Sequence, residues 1–273
     1  TTIFPIDKKY LYDYFGSLDN QSNKEFDIIV VNDGYENFEE VKCNFSKLNI
    51  IELKFSSSIS KNRECGIHYI LDNHYDVVVF GDSDDYFSSN RVEKCIELLN
   101  KYEIVVNDFS LFNENGVYSE KYISNRLVNR NRITIDMIKK KNFFGLSNTA
   151  VKAKLLQDTS FDDGLVAVDW YLYSKLLLDN RSSVFTNETL TYYRQYSQNT
   201  VGIGDVTKDA IKRGLEVKLM HYKLLSNSDE SYNNLYSEIK KLKSQLVTED
   251  DFDQYLSELK RSEIEFPLWW EEV

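Results

Sequence analysis

Two spacings of apolar residues alternate over roughly the first 200 positions. Phe26–Val31 (FDIIVV), Ile50–Phe55 and Val77–Phe80 are short apolar runs that predict strands, the last of them buried on both faces as in a parallel sheet. Thr2–Phe4 adds a short strand, with Ile104–Asp108 and Val184–Thr186 as later ones. Between them, Tyr10–Leu18, Phe38–Leu48, Ile59–Leu71 and Trp170–Leu178 carry helical patterns. Asn90-x-x-Glu93 has the form of a capping box for a further helix bearing Val92, Cys95, Ile96 and Leu99. This βαβα order predicts an α/β fold with a mostly parallel sheet and right-handed crossovers. After about Gly204 only helical periodicity remains. Tyr232, Leu235, Tyr236, Ile239, Leu242 and Leu246 form one stripe, and Phe252, Tyr255, Leu256 and Leu259 continue it. The expected organisation is therefore a domain over residues 1–204 and a C-terminal helical extension over 205–273.

Composition narrows the class. The 273 residues are 42% hydrophobic and 28% charged, as in a folded soluble protein. A formal net charge of −11 argues against a nucleic-acid binder, which needs a basic footprint. No apolar run is long enough to span a bilayer, and no signal peptide is visible. Cys43, Cys65 and Cys95 are widely spaced and read as buried thiols of a reducing cytoplasm.

The chemistry concentrates at Tyr75–Asp85, YDVVVFGDSDD. An apolar strand ends in Asp82, Asp84 and Asp85, at the sheet edge where open α/β folds bind ligands. Carboxylates this close raise one another's pKa unless a cation lies between them. A hard divalent cation with open positions would also take diphosphate oxygens. The cluster points to an enzyme that handles a nucleotide diphosphate.

Taken in order, these landmarks resemble the inverting glycosyltransferases of family 2, which have the GT-A fold, a Rossmann-like, mostly parallel sheet flanked by helices. FDIIVVNDG is similar to the family's strand ending in Asp-Asp-Gly-Ser, with Asn32 for the first Asp and Tyr35 for the Ser. Ser60-Lys-Asn-Arg-Glu-Cys-Gly-Ile67 resembles its Ala-Arg-Asn-x-Gly helix, with Glu64 for Asn, and GDSDD resembles its DXD element. Val166-Ala-Val-Asp-Trp170 is similar to its Glu-Asp pair opening a helix, with Val168 for the Glu. Tyr192-Tyr-Arg-Gln-Tyr-Ser-Gln-Asn199 resembles its Tyr-Arg-x-His segment, and Tyr196 stands where many relatives have His. Phe4-Pro5-Ile6-Asp7 occupies the place of Pro-Thr-Tyr-Asn.

The resemblance implies a set of roles. Pro5, Asp33, Arg63, Asp82 and Ser83 would bind the nucleotide, with Asp33 on the base, Arg63 near base or diphosphate and Asp82 toward the ribose. Asp84 would hold Mn2+ or Mg2+, Asp169 would be the catalytic base, and Arg194 and Asn199 would reach phosphate or donor. The implied reaction is inverting transfer of a sugar, UDP-linked by first choice, to a hydroxyl of a glycan or lipid-linked acceptor at the cytoplasmic side. The C-terminal helices would pack on the main domain or dock a partner or a membrane-bound acceptor. Two other readings are an inactive relative that binds a glycan or partner, and a sugar nucleotidyltransferase. The latter should show a Gly-rich phosphate loop after its first strand, where PIDKKY has none. A haloacid-dehalogenase phosphatase would carry its nucleophilic Asp after the first strand, far from residue 82.

Overall fold

Segments read as strands or helices from their apolar spacing form as such, with shifted ends. The computed structural model describes residues 1–196, 203, 206–261 and 264–272. In chain order they form β1 (Thr2–Ile3), α1 (Lys8–Asp19), β2 (Asp27–Asn32), α2 (Phe38–Asn44), β3 (Asn49–Lys54), α3 (Ile59–Asp72), β4 (Val77–Val79), β5 (Tyr86–Phe87), α4 (Arg91–Leu99) and β6 (Ile104–Asn113). They continue through β7 (Gly116–Ser119), α5 (Ile135–Ile138), β8 (Thr149–Lys152), α6 (Val168–Leu178), β9 (Ser183–Arg194), α7 (Lys208–Leu225), α8 (Ser231–Gln245) and α9 (Glu249–Arg261).

The chain divides into two compact units. The first comprises Thr1–Ile133, Phe144–Gly164 and Arg181–Tyr196, and holds every described strand and α1–α4. Parallel pairing, expected from the βαβα order, joins β1, β2 and β3, and also β6 and β9. β4 differs from expectation: it pairs antiparallel with β8 at a sheet edge, and only Val78 of its three residues is fully buried. A four-residue apolar run signals burial but not the direction of its neighbour. β8 also pairs antiparallel with β6, and β5 with β9, giving the order β4-β8-β6-β9-β5. A largely apolar cleft of about 1160 Å3, lined in part by Ile28, Ile29, Val77 and Val79, has walls from both β2 and β4.

Packing in this unit follows the amphipathic faces. Leu11, Phe15 and Leu18 of α1 meet Ile28 and Val30 of β2 and Phe38 and Val41 of α2. Cys95, Leu98 and Leu99 of α4 cover Val105, Ala150 and Val184. Burying side chains of this size contributes about 1.5–3 kcal/mol each. Asn90 precedes α4, but its side chain makes no cap there and donates instead to the Glu188 carbonyl, while Glu93 accepts from Ser22. The expected capping box therefore does not form. Of the three thiols only Cys95 is buried, and Cys43 is exposed.

The second unit comprises Thr134–Phe143, Leu165–Asn180 and the described residues after Tyr196, with α5–α9. Thr207 caps α7 by accepting from the Ala210 N–H at 3.1 Å. Ile239 and Leu242 of α8, Leu246 at its C-terminal cap, and Tyr255, Leu256 and Leu259 of α9 pack around Ile211, Leu215 and Phe252, so the sequence stripe is a helix–helix seam. Trp170 of α6 lies flat on His221 of α7, ring centroids 3.8 Å apart, and its indole N–H donates to the Ile138 carbonyl. No helix among the described residues is long and apolar enough to cross a membrane.

Candidate active site

At the end of β4 the chain turns sharply through Phe80–Asp85, closed by the Asp85 N–H on the Asp82 carbonyl, before entering β5. Position 81 has room only for glycine: a Cβ there would lie 2.8 Å from the Phe87 ring and 3.1 Å from that of Tyr14. Arg91, 2% exposed, anchors the turn from beneath. Its guanidinium lies over the Phe87 ring and donates to the Phe80 carbonyl at 2.7 Å and to Asn107 Oδ1 at 3.0 Å.

The three carboxylates of the turn have different partners. Asp82 forms an ion pair with Arg63 of α3, 2.5 Å from Nη2 to Oδ1. Asp84 accepts the Tyr196 hydroxyl on Oδ2 at 2.9 Å. Asp85, fully buried, accepts the Arg194 backbone N–H at 2.9 Å. Burial, and then the charge of Asp82, push the Asp84 carboxyl above the usual carboxylate range. Burial and then the charges of Asp84 and Asp82 push Asp85 well above it. Ser83 turns away from the carboxylates, its buried hydroxyl donating to the Thr2 carbonyl.

A further carboxylate stands at the end of a parallel strand. Asp33 follows β2, and its oxygens accept from Ser56 at 2.5 Å and from Asn62 Nδ2 at 2.8 Å. Asn62 and Arg63 are consecutive in α3, so one helix ties Asp33 to one side and Asp82 to the other. The helix starts where Ser58 accepts the Lys61 N–H. Asn32 braces the turn after β2 by donating to Glu52 and accepting from the Tyr35 N–H. An Asp at position 32 would set like charges together. Pro5 lies exposed in the link between β1 and α1, and Asp7 caps α1 through the Lys9 N–H.

Arg194 is nearly buried, with its guanidinium 4.1 Å from the Tyr10 ring centroid and 4.4 Å from that of Phe112. It donates to the Asp84 carbonyl at 2.6 Å and to Asp13 Oδ2 at 2.6 Å. Asp169 belongs to the second unit, in the first turn of α6, and accepts the N–H of Trp170 at 2.7 Å. Asn199 lies outside the described residues.

Among the described residues no group of three His, Cys, Asp or Glu side chains is arranged to hold a metal. The acidic turn nevertheless fits a cation that takes most of its oxygens from a diphosphate, since such a site needs only one or two carboxylates. Asp82 is paired with a guanidinium, whereas Asp84 accepts a hydroxyl and Asp85 a backbone N–H, and a fixed positive charge would relieve their crowding. Residues the motif reading passed over are Asn62, Ser56, Arg91 and Asp13. Asn62 stands inside the quoted helix motif and could have been drawn from it, whereas the other three carry no local signal.

Comparison with known proteins gives the family and the fold. The family model described as glycosyl transferase family 2 matches residues 7–163, more than half of the chain. Glycosyltransferase GlyA of Streptococcus pneumoniae serotype 4 is 27% identical over 213 residues, and the match covers 71% of this chain. The chain spans only 30% of the length of that relative. The structure of S. aureus TarS 1-349 in complex with UDP-GlcNAc superimposes with a TM-score of 0.64 at 19% identity, covering 87% of this chain and 70% of that one. GalNAc-T7 with UDP, GalNAc and Mn2+ superimposes with a TM-score of 0.55 at 10% identity, covering 85% and 53%. Those two likenesses concern the fold, and the family match concerns the chain itself. The chain belongs to glycosyl transferase family 2: it is a glycosyltransferase domain with the GT-A fold.

Proposed function

We propose that this domain transfers a sugar, with inversion, from a nucleotide diphosphate donor to a hydroxyl group of a glycan or lipid-linked acceptor. The observation that carries the donor half is the pairing of consecutive α3 residues with two strand-end carboxylates, Asn62 with Asp33 and Arg63 with Asp82. Asp33, held by Ser56 and Asn62, accepts an N–H of the base, and Pro5 borders it. Asp82 faces the ribose, Ser83 fixes the turn against β1, and the fixed charge of Arg63 suits the diphosphate. Mn2+ or Mg2+ held at Asp84 would supply charge stabilisation for the leaving diphosphate. UDP is the first-choice nucleotide, supported by the UDP-GlcNAc complex of the TarS neighbour.

In the transfer the acceptor oxygen forms a bond to the anomeric carbon. The bond from that carbon to the diphosphate oxygen breaks on the opposite face, and its electron pair leaves with the nucleotide. Asp169 takes the acceptor proton as general base. Arg194 and Asn199 are assigned to the donor side, Arg194 through its hold on Asp84 and Asp13. The domain works at the cytoplasmic side, where nucleotide sugars are supplied.

The test is calorimetric titration of UDP, GDP and dTDP, each with Mn2+ and with EDTA, into wild type and Asp84→Ala. Metal-dependent binding of one nucleotide, lost in Asp84→Ala, is the expected result. Absence of binding by all three would sink the donor site and favour an interaction module.

A further inference from the structure

The end of β9 and the first turns of α1 converge on Asp84 and Asp85. Tyr196 donates its hydroxyl to Asp84 Oδ2 at 2.9 Å, and its ring packs against Tyr10 with centroids 5.4 Å apart. Tyr10 in turn covers one face of the Arg194 guanidinium, whose Nε holds the Asp84 carbonyl and whose Nη2 holds Asp13. The Arg194 backbone N–H holds Asp85. Asp84 is thus fixed at its main chain and at one side-chain oxygen, by residues about 110 positions away.

Resting on the donor-site reading above, we propose that Tyr196 is a positioning residue that sets which cation the site accepts. A phenol is a neutral donor, so its hydrogen bond leaves the charge on Asp84 while occupying Oδ2. With Oδ2 engaged and the carboxylate held in one orientation, a grip on a cation through both oxygens is disfavoured. One carboxylate oxygen suits a small cation of octahedral preference that completes its shell with phosphate oxygens and water. It suits Ca2+ poorly, because Ca2+ takes six to eight oxygens and often grips a carboxylate by both. Arg194 and Asp13 keep the peptide from shifting, so selection falls on the side chain. Replacing the phenol by a phenyl ring frees Oδ2, lets the carboxylate rotate and removes the discrimination.

The experiment titrates UDP into wild type and Tyr196→Phe by calorimetry, once with Mn2+ and once with Ca2+. Wild type is expected to bind UDP more tightly with Mn2+. Tyr196→Phe is expected to lose about tenfold in affinity with Mn2+, the value of one hydrogen bond to a charged group, and about threefold or less with Ca2+. Equal losses with both cations would mean general loosening and would overturn the proposal, as would an unchanged Mn2+ affinity or a wild type that prefers Ca2+. A wild type that binds no UDP with Mn2+ overturns the donor site itself, and the proposal with it, whereas binding wild type with an indifferent Tyr196→Phe overturns the proposal alone. Melting without cation supplies an independent arm. Tyr196→Phe should lower the midpoint when residue 84 is Asp and leave it unchanged in Asp84→Ala, as a cycle between touching residues requires. Equal losses in both backgrounds would reject the link through Asp84.

Discussion

Two clusters of crowded ionisable groups, one in each unit, differ in what surrounds them. In the acidic turn, Asp82, Asp84 and Asp85 crowd like charges together, and each is met by a directed donor: a guanidinium, a hydroxyl and a backbone N–H. In the second unit, Lys218 and His221 lie one turn apart on α7, 4% and 0% exposed. His221 sits among Trp170, Tyr222 and Tyr232, and neither of its ring nitrogens has a hydrogen-bond partner among the described residues. Burial, then the neighbouring charge of Lys140, lowers the Lys218 pKa to about 8; burial, then Lys218, pushes His221 well below its usual value. Burial disfavours the charged forms of Asp84, Asp85, Lys218 and His221 alike. The carboxylates of the turn are met by directed donors, whereas His221 is enclosed by aromatic rings.

Substitution at Asp84 should break the comparison most. Asp84→Asn is expected to weaken Mn2+-dependent UDP binding by about a hundredfold or more, as loss of a charged ligand requires. The same change should raise the metal-free melting temperature. The folded pKa of Asp84 lies above its unfolded value, so ionisation costs stability once pH rises past the unfolded pKa, and Asn removes that cost. Differential scanning calorimetry in EDTA reads the second effect, and a lower midpoint would contradict it. Arg63→Met comes next: with Asp82 left without its cation, UDP affinity should fall about tenfold. Fluorescence titration at two salt concentrations checks it.

For the second unit the sign runs the other way. His221 stays neutral when folded but takes a proton when unfolded, so stability falls as pH drops below about 6.5. The expected slope approaches about 1.4 kcal/mol per pH unit, and His221→Phe should flatten it between pH 7 and 5. Denaturant melts across that range decide the matter, and parallel slopes in both proteins would exclude His221 as the source. Smallest of all, Thr207→Ala should cost about 1 kcal/mol through the α7 cap while UDP affinity stays unchanged.

Much of both units was legible because the signals are local. The acidic turn is announced by an apolar run followed at once by charge, and the α8 and α9 stripes repeat at a spacing that only a helix can use. Asn62 and Arg63 fall inside one quoted motif. What was not legible comes from pairings across long stretches of chain. β8 is four residues long, and nothing in Thr149–Lys152 reveals that it inserts antiparallel between β4 and β6. Arg194 illustrates the limit for side chains: its type suggests an anion ligand, but its neighbours Tyr10 and Phe112 decide that it faces Asp13 and the acidic turn. Asn90 carries the sequence of a cap, yet its side chain donates to the Glu188 carbonyl, 98 positions away.

The clamp from β9 also fixes when the site can exist during synthesis. Arg194 meets Asp85 across 109 positions, and Tyr196 meets Asp84 across 112. Contacts of such separation form late, because the chain between them must first be ordered. A nascent chain that ends before β9 therefore carries three mutually repelling carboxylates with Arg63 as their nearby cation. Since domains tend to fold as units during elongation, the acidic turn should reach its final form in one step once β9 and Tyr196 have been made, and a shorter chain should lack it.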